Sequence, residues 1–314
     1  MKIKCKITEL QKKKINSILA RLFFLFYVFF IQISFSQNAV SGFFNKKNQL
    51  DVATNLTYKS GRELFAGKEK IAIVPSEFEA INTQIVNLFA DYSFKDWLTL
   101  TVNIPYVYVY NKNNIPDPVN NKATQQGFQD IEVYSNFRLV FKKYNSGYFT
   151  TSAGLSFTTP LSKYKEQGII SIGNGATTLN PFFVLQYKFK KGLFFETFYS
   201  HSFKKSRFEF KVPDADLYNL KIGYAQTKFY GDIRLTIQNS VNGTDIFSEE
   251  FWAQGGLASF PNNKVNFTNL SVNLYYPITN KIGISTLLTQ TLDGRNVRKE
   301  KGFSLGLVYR MNNK

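Results

Sequence analysis

The sequence predicts an all-β fold: a transmembrane antiparallel up-and-down β-barrel of about twelve strands, following a cleaved signal peptide. Three observations predict it. Apolar and polar residues alternate with period two along most of the chain. The stretches that alternate are joined by short and long connections in strict turn. Aromatic residues make up 17% of the 314 residues, with 32 Phe and 18 Tyr, although the hydrophobic total is an ordinary 44%. Segments with one greasy face and one polar face produce that mixture.

Residues 1–36 read as a secretory signal. Lys2, Lys4, Lys6, Lys12, Lys13, Lys14 and Arg21 stand against one acid, Glu9, and are followed by the apolar run 22–31. Ser34-Phe35-Ser36 then puts small residues at the −3 and −1 positions before Gln37. The alternative is an N-terminal membrane anchor, but ten apolar residues make about 15 Å of helix, half of a ~30 Å hydrocarbon core, which favours the cleaved signal. Cys5, the only cysteine, precedes the run and is not a lipid-anchor position. The domain expectation is therefore a signal peptide over 1–36 and one barrel domain over 37–314. Removing the signal's seven bases and one acid takes the formal charge from +17 to +11.

Strand by strand, the alternation predicts 49–60, 81–94, 97–110, 128–141, 147–159, 177–189, 193–203, 215–225, 228–239, 265–276, 281–292 and 302–311. The clearest cases are Leu98, Leu100, Val102 and Ile104 against Thr99, Thr101 and Asn103, and Phe303, Leu305 and Leu307 against Ser304 and Gly306. Short connections fall at 95–96, 142–146, 190–192, 226–227 and 277–280. Long ones fall at 61–80, 111–127, 160–176, 204–214, 240–264 and 293–301. A bacterial outer-membrane barrel has tight turns at one end, long loops at the other and an even strand count. A soluble sandwich also alternates, but gives no reason to sort connections by parity, and its strands average 5–6 residues. Aromatics at the strand ends (Phe94, Trp97, Tyr108, Tyr110, Phe141, Tyr187, Phe189, Tyr276 and Tyr309) fit interfacial girdles.

The alternate face of a closed wall lines a lumen. Its candidates are Asp51, Asp130, Glu132, Arg138, Lys188, Glu196, Lys221, Asp232, Arg234 and Arg310. Two readings stand: the charges pair across strands and satisfy one another, or they line a permeation path and tune its selectivity. Twelve strands lie between the eight that side chains fill and the wide porins, so an in-folded loop is enough to close the passage. Loop 240–264 carries Phe247, Phe251, Trp252 and Phe260, the candidates for a constriction; the alternative is a cluster packed on the rim. Loop 160–176 is the second candidate for closing the mouth. The stretch before the first strand is too short for a folded plug domain.

Gly127-Phe128-Gln129-Asp130-Ile131-Glu132-Val133-Tyr134 with Phe137-Arg138-Leu139, and Leu155-Ser156-Phe157-Thr158-Thr159-Pro160 followed by a Gly-rich loop and Asn180-Pro181, resemble motifs of a family of outer-membrane channels. That family is named for the meta pathway of phenol degradation. The resemblance spans roughly residues 80–311, though the glycine that follows the proline in the family is absent here. It implies a transporter or diffusion channel for small, hydrophobic or aromatic compounds.

Other classes fare less well. One cysteine and one histidine leave no multi-thiolate or His-rich metal site, and no cofactor is expected. A Ser–His pair on one strand needs spacing i, i+2, but His201 has Ser200 and Ser202 at i±1, on the opposite face. The chain is therefore read as no enzyme, an outer-membrane hydrolase being the weakest option. A closed structural or surface-binding barrel is the main alternative to a channel. Expected partners are outer-membrane lipid and lipopolysaccharide, a small solute and the barrel-assembly machinery, with no nucleic acid; both termini are expected in the periplasm.

Overall fold

A computed structural model of the protein describes residues 41–206 and 210–312, all within one compact unit. The signal-peptide expectation lies outside the described residues. Among those that are described, no helix is long and apolar enough to cross a membrane. The strands are β1 (Gln49–Ala66), β2 (Glu69–Ala72), β3 (Ile81–Lys95), β4 (Leu98–Asn111), β5 (Thr124–Phe128), β6 (Asp130–Lys143) and β7 (Gly147–Pro160). They continue with β8 (Ala176–Phe189), β9 (Leu193–Ser206), β10 (Ala215–Gln226), β11 (Phe229–Ser240), β12 (Asn266–Pro277), β13 (Ile282–Arg295) and β14 (Val297–Asn312). A short helix, α1 (Glu249–Ala253), lies between β11 and β12.

Each long strand pairs antiparallel with its neighbour in sequence, and β14 returns to pair with β1 from Gln49↔Asn312 to Phe65↔Val297. β5 and β6 are two parts of one wall strand, interrupted at Gln129, whose N–H reaches the Pro105 carbonyl at 3.0 Å. With β2 a short outer addition, the wall is a closed ring of twelve strands. Closure leaves the membrane-spanning wall without an open edge, which a sheet in hydrocarbon requires.

The period-two pattern now has a direction. Leu56, Leu139, Leu155, Leu179, Leu220, Ile233 and Leu305 are exposed on the outside, while Asn55, Thr57, Ser285, Ser304 and Asn219 are buried inside. On β14 the contrast between neighbours is complete: Leu305 is 53% exposed and Ser304 is 0%. A polar interior under an apolar exterior inverts a soluble protein and matches a wall facing lipid. Phe94, Trp97, Phe137, Phe141, Tyr144, Tyr276 and Tyr309 crowd the outer surface toward the short-turn end.

The expected strands lie within a few residues of the observed ones, but one connection is different. The span 293–301 is no loop: β13 and β14 continue outward to a turn at Asn296, which takes φ +54°, and β1 continues with them to Ala66. Charges hid this extension. Arg295, Arg298, Lys299, Glu300 and Lys301 mask the alternation, yet they suit strands standing above a bilayer, where Lys299 pairs with Glu63 at 3.0 Å and Arg298 with Glu300 at 3.0 Å.

Candidate functional site

The long-loop end of the barrel is filled by the loops themselves. Phe78 precedes β3, and Ile170 and Ile172 come from the loop between β7 and β8. Ile246 and Phe251 come from the loop between β11 and β12. They pack on the inward-facing Ile81, Val107 and Val109 of the wall in one buried cluster. Helix α1 is capped by Ser248, whose hydroxyl accepts the Phe251 N–H at 3.2 Å, a contact that aims Phe251 into the cluster. Phe251 is fully buried and Phe260 packs partly against the cluster. Phe247 and Trp252 stack on each other (5.9 Å, 15°) and remain exposed, Trp252 at 57%. Of the four aromatics expected at a constriction, two are in the plug and two form its outer tip.

A buried carboxylate fastens the plug. Asp117, between β4 and β5, accepts the N–H groups of Val119 and Asn120 on Oδ1 at 2.8 and 3.2 Å, and those of Ile169 and Ile170 on Oδ2 at 2.6 and 2.7 Å. The loop from β11 to β12 has its own anchor. Arg295 forks onto Asp245, and Asn296 donates to Thr244 and Lys264 carbonyls. The Arg295 guanidinium holds the Asp245 carboxyl below the usual carboxylate range, against the opposing effect of partial burial.

Toward the short-turn end the lumen opens into a cavity of about 450 Å³. Asp51, Lys188, Lys221, Asp232, Arg234 and Arg310 line it, six of the ten charged candidates. The charges are largely matched. Arg310 forks onto Asp51 at 2.9–3.3 Å. Lys221 pairs with Glu196, both side chains almost wholly buried. Asp232 accepts from Asn273 at 2.8 Å and shares its face of β11 with Arg234. Four candidates lie outside the cavity lining: Glu196, paired with Lys221, and three more, of which Glu132 accepts from Asn103 and Tyr134 at 3.0 Å, Asp130 accepts from Tyr164 in the loop plug, and Arg138 stacks on Phe44 at 4.4 Å from the ring centre.

That Phe44 belongs to a segment the sequence reading did not place. Residues 41–44, just ahead of β1, form a strap inside the barrel. Ser41 Oγ and Gly42 N–H donate to Glu196 Oε2 at 2.7 and 2.9 Å, and Asn136 donates to the Ser41 carbonyl at 3.2 Å. Gly42 is required there, since a Cβ would come within 2.7 Å of Gln186. Phe43 meets Phe194 edge to face at 5.1 Å and Tyr230 at 6.0 Å, and Lys188 Nζ lies 5.7 Å from its ring centre. The available signal was two consecutive Phe outside any alternating stretch. Asp91 and Asp117 were also passed over: Asp91 accepts from Thr101 and Asn45 beside the cavity, and Asp117 sits in a loop without periodicity.

His201 faces outward on β9, its Nδ1 2.9 Å from Asp216 and its ring against Phe203 at 4.5 Å. That puts it on the opposite side of the wall from the cavity.

The architecture invites comparison with known barrels. An outer-membrane channel from Pseudomonas putida F1 superposes with a TM-score of 0.69 over 88% of this chain and 100% of its own, at 13% identity. The NanC porin superposes with a TM-score of 0.50 over 83% of this chain and 100% of its own, at 15% identity. The fold is that of an outer-membrane β-barrel. No protein-family model matches the chain, and no curated protein matches it.

Proposed function

We propose that this barrel is a passive channel of the bacterial outer membrane for small solutes. The observation that carries the reading is a twelve-stranded closed wall, apolar outside, around a charged cavity whose obstructions come from loops and a strap. Wall strands give a fixed ring, whereas loops and straps open at lower cost than strand pairs. The ten lumen candidates then set the electrostatics of the path, and the Phe251 plug sets its resting closure. The motifs at 127–139 and 155–181 support a place among the channels named for the meta pathway of phenol degradation. The P. putida structure is described as an outer-membrane channel, which favours the same reading.

Several expectations belong to the proposal: cleavage after Ser36, both termini in the periplasm, insertion by the barrel-assembly machinery, and lipopolysaccharide around the basic outer rim. A closed, surface-binding barrel is the second reading, favoured by the stacked, exposed Phe247 and Trp252. Planar-bilayer recording decides between them. A channel gives discrete current steps in the wild type, larger in Phe43→Ala and Asp117→Ala variants. Silence in all three sinks the channel reading and leaves the surface-binding barrel.

A further inference from the structure

The cavity contains one base that its neighbours do not neutralise. Lys221 has Glu196, Arg310 has Asp51, and Arg234 stands beside Asp232. Among the described residues no carboxylate is within ion-pair distance of Lys188; its ammonium lies over the Phe43 ring. Phe43 is no part of the wall. It is carried by the strap and set edge-on against Phe194 and Tyr230, which stack on each other at 5.6 Å and 25°. The wall thus provides an aromatic slot and a cation, and the strap occupies both with a benzyl side chain.

The strap is held in an exchangeable way. Its hold consists of the polar contacts of Ser41 and Gly42 with Glu196, the Asn136 contact, and the ring contacts. Glu196 still keeps Lys221 and Gln186 when those contacts are removed, so the strap can leave without stranding a buried charge. A cation over a ring gains about 0.5–2 kcal/mol. An anionic oxygen within reach of the same ammonium adds a charge-assisted hydrogen bond, about twice as strong as a neutral one. A ring bearing a carboxylate offers both at once, and the strap offers only the ring.

We propose that Phe43 holds the place of a solute: the Phe194–Tyr230 slot with Lys188 is a binding site for small aromatic carboxylates, which displace the strap on binding. A cavity of about 450 Å³ accommodates a molecule of that size. The site rests on the channel reading and gives that channel a substrate class.

The test is calorimetric titration of the folded, detergent-solubilised protein with benzoate, with its neutral near-isostere benzyl alcohol, and with acetate. Benzoate is expected to bind at least ten-fold more tightly than either of the others. Phe43→Ala removes the competitor and raises benzoate affinity about ten-fold. Lys188→Gln abolishes the preference for benzoate over benzyl alcohol, and Lys188→Arg keeps it. Heat-modifiable gel migration shows that each variant is folded; Phe43→Leu, apolar but without a π-face, replaces any Phe43→Ala that is not. Equal binding of benzoate and benzyl alcohol, a preference indifferent to Lys188→Gln, or no gain on removing the Phe43 ring overturns the site. Bilayer currents separate this from the channel reading. A Lys188-dependent benzoate preference in a silent barrel keeps the site and removes the channel, whereas conduction without that preference keeps the channel and removes the site.

Discussion

Replacing Asp117 with alanine probes the plug at its most economical point. Asp117 is almost fully buried and spans two loops, with Val119 and Asn120 N–H groups on one oxygen and those of Ile169 and Ile170 on the other. The two bonds that cross between loops are charge-assisted, worth about 1.5–3 kcal/mol each, so their loss costs about 3–6 kcal/mol. What remains to hold the loop between β7 and β8 is the burial of Ile170 and Ile172, about 1.5–3 kcal/mol apiece, together with the Gln125 and Asn120 amides on the Ile170 carbonyl at 2.8 and 3.0 Å, the Lys165 N–H on Gln125 at 2.7 Å and the Tyr164 hydroxyl on Asp130. The loop of the variant therefore stays seated in most molecules but is released more often. A loss of even about 3 kcal/mol corresponds to roughly a hundred-fold rise in the released fraction. Hydrogen exchange should show the Ile169 and Ile170 amides exchanging at least that much faster, with β8 and β9 amides unchanged. Asp117→Asn keeps an acceptor oxygen without the charge and should give a smaller increase. Unchanged protection at Ile169 and Ile170 in the alanine variant would refute the latch.

Three further outcomes follow from the geometry. Leu305→Arg places a charge on the lipid face and should destabilise the barrel by about 2–4 kcal/mol, read as a lowered urea midpoint in vesicles; tolerance equal to that of an outer-loop site contradicts a membrane wall. Glu196→Gln leaves the Lys221 ammonium buried without its partner, a loss of about 3–5 kcal/mol, and Glu196→Gln combined with Lys221→Met should recover part of it; additive losses in a double-mutant cycle count against the pair. The Asp245 carboxyl is depressed in the folded state, so its ion pair with Arg295 contributes fully above the unfolded value near 3.9 and is lost as pH falls through the lower folded value. Proteolysis of the loop between β11 and β12 should therefore accelerate below about pH 4 in the wild type and be pH-independent over that range in Asp245→Asn.

The wall was legible because lipid imposes a rule that every strand obeys. Leu98 to Ile104 and Phe303 to Leu307 alternate since each outward position meets hydrocarbon and each inward one meets a polar lumen. The rule lapses above the membrane, and there the reading failed: Arg298 to Lys301 continue β14 in water with no apolar partner to mark the period. The inward charges were expected from parity alone, and six of them line the cavity. Which of them pair was not legible, because Asp51–Arg310 and Glu196–Lys221 depend on register between strands, and in the first case on the two ends of the chain meeting. Asp117 and the Phe43 strap lie in segments without a period, where function depends on a few backbone contacts that no pattern announces.

The meeting of the two ends has a consequence of its own. Asp51 and Arg310 are 259 residues apart, and the ladder from Gln49↔Asn312 to Phe65↔Val297 is the sole join between first strand and last. Every other ladder joins neighbours in sequence and can form as soon as its hairpin exists. The seam alone waits for the whole chain, and contacts so distant are the slow ones to form. The strap leads directly into β1, one lip of that seam, and its aromatic rings end inside the ring. The strap must therefore be tucked in before the seam zips, or thread a finished barrel afterwards. The last fastening of the wall thus also divides the two routes by which the strap reaches its seat.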